Sequence, residues 1–132
     1  MDGIVGGDKR MTEKTDKKDE RRKLFIRTKK LMLDQADILY VESRAKKVEI
    51  HTMGAQQNIE IYATMEELME QLGEGFYRCH RAYIVNMAYI AEYGEGSAIL
   101  TSGDRVYVAK KKFGEFVKAY KRYLENGGVS SV

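Results

Sequence analysis

The residues best suited to chemistry fall in one run, Phe76-Tyr77-Arg78-Cys79-His80-Arg81-Ala82-Tyr83-Ile84-Val85-Asn86. It sets two arginines, a histidine, a thiol and two tyrosines among apolar residues, a mixture that neither an amphipathic strand nor an amphipathic helix needs. Two kinds of chemistry are open to it. Cys79 beside His80 supplies the residue types of a thiol nucleophile and its base. Neighbours on an extended chain point to opposite faces, however, so these two side chains are poorly placed to share a proton. The arginines offer the second chemistry. Their planar forks of N–H donors match phosphate oxygens and the acceptor edge of guanine.

The remaining sequence narrows the choice. It holds no glycine-rich phosphate loop, no serine elbow and no pair of carboxylates on a recognisable scaffold, so an enzyme is not expected. One cysteine and two histidines, His51 and His80, make no zinc set, and neither a metal nor a cofactor is expected. A lone cysteine forms no internal disulfide, which fits a reducing cytoplasm. No apolar run approaches the roughly 20 residues of a membrane span, and the first residues lack the apolar block of a secretory signal. A cytoplasmic protein without membrane partners is the expectation.

The net charge of +3 is too small to argue for a polyanionic partner, but its distribution does. Basic residues gather at element ends: Arg27, Lys29 and Lys30; Arg44, Lys46 and Lys47; Arg78 and Arg81; Lys110, Lys111 and Lys112. Acids concentrate elsewhere, at Glu66, Glu67, Glu70 and Glu74 and at Glu92, Glu95 and Asp104. A near-neutral domain with its cations in loops can present one basic edge to phosphates.

Those loops need rigid elements to carry them. Residues 1–23 are charged and polar with little apolar surface, and read as a flexible tail or linker. The globular part is expected over residues 24–126, with a second flexible tail at 127–132. Strands are predicted at Leu24–Arg27 and Leu31–Leu33, joined by a turn, then at Ile38–Ser43, Val48–Thr52 and Ile59–Ala63. Gly54–Asn58 reads as the loop between the last two. Thr64-Met65-Glu66-Glu67 forms a capping box for a short helix with Leu68, Met69 and Leu72 on its apolar face, stopped at Gly73-Glu74-Gly75. A meander is expected over Tyr89–Tyr93, Ala98–Thr101 and Arg105–Ala109. Phe113, Phe116, Val117, Tyr120 and Leu124 fall at helical spacing. The architecture is therefore mostly β with one or two short helices.

The Phe76–Asn86 run resembles the signature of the LytTR family of bacterial DNA-binding domains, in which an aromatic-x-Arg-x-His segment leads into an apolar turn closing on Val-Asn. Three further segments are similar in order along residues 24 to 124: Ile38-Leu39-Tyr40-Val41-Glu42-Ser43, Thr64-Met65-Glu66-Glu67-Leu68, and Val106-Tyr107-Val108-Ala109 followed by Lys110-Lys111-Lys112-Phe113. The resemblance implies an elongated β-β-β sandwich of short antiparallel sheets that inserts loops into successive major grooves. It implies sequence-specific binding of double-stranded DNA and regulation of bacterial transcription, with a second copy on adjacent direct repeats and bending of the duplex. It also implies the output half of a two-component response regulator behind a receiver domain absent here, or a stand-alone regulator. Carried over by position, it assigns base contacts to Arg44, Lys46, Arg81 and Lys111, and phosphate contacts to Lys47, Arg78, His80, Lys110 and Lys112. Some relatives carry asparagine where Arg81 stands, and some offer a histidine near position 48, where this chain has valine. Phe76, Tyr83, Ile84 and Val85 are expected in the core, Asn86 in a turn, and His80 as a loop-shaping residue. Arg78 is open to either a phosphate or an acid of the short helix. The competing reading is a LytTR-like interaction module that sequesters a partner regulator without touching DNA.

Overall fold

The computed structural model describes residues 22–26, 31–54 and 58–127. The proposed tails at 1–23 and 127–132 therefore lie almost wholly outside the described residues, as do the Arg27–Lys30 turn and most of the Gly54–Asn58 loop. The chain falls into two compact units, Met1–Ala36 and Asp37–Val132.

In the first unit, β1 (Lys23–Ile26) and β2 (Leu31–Asp34) form an antiparallel hairpin. Leu24, Ile26 and Leu33 are buried while Phe25 and Met32 are exposed, as the strand period of two requires. Lys23 opens the strand inside the expected tail. Its ammonium pairs with Asp34, and its carbonyl accepts from Gln35 Nε2 at 2.9 Å.

The second unit carries two antiparallel sheets and two helices. Strands β3 (Ile38–Arg44), β4 (Lys47–Thr52), β5 (Ile59–Ile61), β6 (Phe76–His80) and β7 (Tyr83–Asn86) form a five-stranded sheet ordered β5-β4-β3-β7-β6. Strands β8 (Ile90–Gly94), β9 (Ser97–Leu100) and β10 (Arg105–Tyr107) form the expected meander. The fold is mostly β, with three antiparallel sheets among the described residues. Helix α1 (Met65–Gln71) starts on the predicted capping box, with Thr64 Oγ1 accepting from the Glu67 amide at 3.0 Å and Glu67 Oε1 accepting from the Thr64 amide at 2.9 Å.

Residues paired across an antiparallel ladder share a face. Val41, Ile50, Ile59 and Ile84 stand together on one face of the large sheet, and Tyr40, His51 and Val85 on the other. Two bulges adjust this alternation. One, at Leu39, lets Leu39 and Tyr40 join a single core cluster; the other, between Tyr77 and His80, brings His80 onto the face of Tyr83, while Cys79 keeps its place in the cluster beside Tyr77. Helix α2 (Phe113–Glu125) closes this core with Phe116, which is wholly buried against the rings of Tyr77, Tyr93, Phe113 and Tyr120 at 5.7–6.4 Å. The helical spacing placed Leu124 on that face, but it is half-exposed and Tyr123 packs there instead. The helix turns 100° per residue, and the larger ring one position earlier reaches the core.

Candidate nucleic-acid interface

Three basic segments meet at one end of the five-stranded sheet. Strand β3 runs out at Arg44, turns through Ala45-Lys46 and returns at Lys47. Strands β6 and β7 turn through Arg81-Ala82, and the Ser43 amide donates to the Ala82 carbonyl at 2.8 Å, which sets the two turns side by side. The third segment, a 3₁₀ turn at Lys110–Lys112, is tied to β6 by the Ala109 amide on the Cys79 carbonyl at 2.8 Å and by Lys112 Nζ on the Arg78 carbonyl at 3.3 Å. Arg78, His80, Arg81 and Ala109–Lys112 line an open cleft of about 560 Å³.

The side chains divide by what holds them. Arg78 is braced at both ends of its guanidinium: Nη1 donates to Glu66 Oε2 at 2.9 Å and Nη2 to the Arg81 carbonyl at 2.9 Å. The hydrogen bond from Arg78 holds the Glu66 carboxyl below the usual carboxylate range. Of the two roles open to Arg78, the structure fills the ion pair with the short helix. His80 Nδ1 accepts from the Ala82 amide at 3.0 Å, which places the ring proton on Nε2, and its ring meets Tyr83 edge-on at 5.8 Å. The histidine thus shapes the turn while keeping one N–H donor. Arg81 is exposed at the tip.

In the β3–β4 hairpin, Arg44 Nε lies 3.3 Å from Glu49 Oε1 and 3.8 Å from Glu42 Oε2. Lys47 Nζ is 3.4 Å from Glu60 and 5.2 Å from the Tyr62 ring centroid. Lys46, like Arg81, Lys110 and Lys111, is exposed and makes no ion pair among the described residues. Ala45 adopts φ +56°, the left-handed region that glycine prefers, at about 1–3 kcal/mol for a residue with a Cβ. The sequence reading did not foresee the acids at this end. Glu42, Glu49 and Glu60 occupy one row across β3, β4 and β5 and restrain Arg44 and Lys47. Their alternation with Val41, Val48, Ile50 and Ile61 was visible, and it places carboxylates on the face that carries Arg44.

The expected structural residues sit as follows. Phe76, Ile84 and Val85 are buried and Tyr83 is partly buried. Asn86 is buried, accepting from the Ala88 amide at 3.0 Å and donating from Nδ2 to the Ile38 carbonyl at 2.8 Å. Cys79 is also buried, its Sγ donating to the Tyr107 carbonyl at 3.2 Å. Burial pushes its thiol up to about 12, which disfavours the reactive thiolate at neutral pH. No helix among the described residues is long and apolar enough to cross a membrane.

Comparison with known proteins bears on the fold and the family. The LytTr DNA-binding domain of a Bacillus cereus protein, described as a methyl-accepting/DNA response regulator, has a similar fold, with a TM-score of 0.60. That likeness covers 67% of this chain and 85% of the other at 24% identity. No curated protein sequence matches significantly. The family model of the LytTr DNA-binding domain matches residues 28–121, and the chain belongs to the LytTR family of DNA-binding domains.

Proposed function

We propose that the protein is a sequence-specific transcription regulator that reads double-stranded DNA with the loops at this end of the five-stranded sheet. One observation carries the reading: Lys46, Arg81, Lys110 and Lys111, all exposed and without ion pairs among the described residues, converge there on three rigidly held turns. Arg81 is the principal base reader. Its guanidinium matches guanine O6 and N7, and the Arg78 bond to its carbonyl fixes the turn beneath it. Lys46 and Lys111 read flanking bases, and Arg44 joins them when it leaves Glu49. Lys110, Lys112, Lys47 and His80 Nε2 contact phosphates and set the register. Arg78 serves mainly as the brace, since a phosphate contact would compete with Glu66. The loops enter successive major grooves, two copies occupy adjacent direct repeats, and the protein acts in the bacterial cytoplasm, alone or behind a receiver domain.

Selection of duplexes from a random pool, followed by anisotropy titration over a range of salt, tests this. A defined repeated motif is expected, with affinity falling steeply as salt rises. Arg81→Ala is expected to lose about 10- to 100-fold on the selected site, roughly 1–3 kcal/mol, and little on scrambled DNA. Lys110→Ala is expected to weaken both and flatten the salt slope by about one unit. A pool that stays unenriched transfers the assignment to the interaction module.

A further inference from the structure

The row of acids beside the hairpin turn has a use of its own. We propose that His51 and the carboxylates of Glu42 and Glu49 form a binding site for a divalent metal ion of the zinc or manganese type. His51 Nε2 lies 3.4 Å from Glu42 Oε1 and 3.6 Å from Glu49 Oε1, and one donor atom from each residue falls within 4.8 Å of the others. Ligands about 2.1 Å from a metal stand about 3.0–3.4 Å from one another in octahedral or tetrahedral sites, so small side-chain shifts complete the set.

Each donor is already aimed. The second oxygen of Glu42 accepts from the Tyr83 hydroxyl at 3.3 Å, and that of Glu49 accepts from Asn58 Nδ2 at 3.2 Å. The His51 ring is stacked on Tyr40, with centroids 4.1 Å apart and an interplanar angle of 9°. Outer contacts of this kind orient ligands in metal sites. His51 Nε2 is also shut off from solvent without a hydrogen-bond partner, an uncommon state for a buried polar atom.

Electrostatics favours a cation at the same point. The ladder sets Glu42 opposite Glu49, and Glu49 opposite Glu60, and like charges in facing positions repel. Arg44 offsets part of that charge through Glu49 Oε1 at 3.3 Å and Glu42 Oε2 at 3.8 Å, and its side chain is 56% exposed. Metal and Arg44 therefore compete for one oxygen. A single imidazole with two carboxylates suits zinc or manganese better than calcium or magnesium, which favour oxygen alone. The inference does not depend on DNA binding.

Calorimetric titration of the full chain with zinc chloride, paired with NMR of the histidine ring nitrogens, tests it. One-to-one binding that moves the His51 ring nitrogens and leaves those of His80 in place is expected. Glu49→Gln should weaken binding at least tenfold, and Arg44→Ala should tighten it several-fold. Absence of binding, binding that leaves the His51 nitrogens unmoved, or full affinity in Glu49→Gln overturns the site. Unchanged affinity in Arg44→Ala overturns the competition. The NMR measurement uses the unaltered chain, so it decides the matter even if a variant fails to fold.

Discussion

The base reader proposed at the turn rests on a brace of two residues behind it. Glu66 holds Arg78, and Arg78 holds the Arg81 carbonyl, so a carboxylate on α1 sets the backbone from which Arg81 projects. Because Glu66 is held below its ordinary range in the folded protein, this bond contributes fully above the usual glutamate value of about 4.3 and is lost as pH falls through the lowered one. Urea midpoints of the parent and Glu66→Gln should therefore differ by a constant amount at neutral pH and converge as the solution is acidified. A gap that persists in acid would contradict the ion pair. The sequence marked Arg78 as either clamp or partner but could not choose, because that depends on a helix 12 positions earlier in the chain. It missed the restraint on Arg44 for a related reason. Cross-strand neighbours such as Glu42 and Glu49 become visible only once the register is known.

At the scale of elements, α2 breaks a local rule. Three lysines sit at its N-terminus, Lys112 provides no side-chain cap, and the positive end of the helix dipole repels them. That cost of a few tenths of a kcal/mol per charge is consistent with a segment shaped for an external anion. The β7 terminus obeys its rules closely. Asn86 caps the 3₁₀ turn Met87–Tyr89 and ties β7 to the start of β3, so Asn86→Ala strands a buried carbonyl and an amide. We expect a loss of about 1–3 kcal/mol by urea denaturation. The turn role was readable from residue type, since asparagine bonds its own backbone two residues on. The Ile38 partner was not, being 48 positions away. Alternation made most strands legible, yet both bulges escaped notice, because an extra residue in a ladder leaves no mark on composition.

For the molecule as a whole, the helical spacing of Phe113 to Leu124 matches α2, in which Phe116 is buried and Leu124 half-exposed. Phe116→Ala is expected to cost about 3–5 kcal/mol in a denaturant titration. Leu124→Ala, at a half-exposed position, should remain within about 0.5 kcal/mol of the parent. The sheet order β5-β4-β3-β7-β6 carries a kinetic consequence. Strands β3, β4 and β5 pair with sequence neighbours, as do β6 and β7, so both groups can assemble from local contacts. The seam between β3 and β7 joins residues some 40 positions apart, as Glu42 and Tyr83 show, and must close the intervening chain first. Lys46 lies on one side of that seam and Arg81 on the other. A chain halted before the seam forms would hold both hairpins without the two turns that the proposed reading surface needs side by side. Acquisition of DNA affinity during refolding should track this last, slowest pairing, later than the first rise of strand signal.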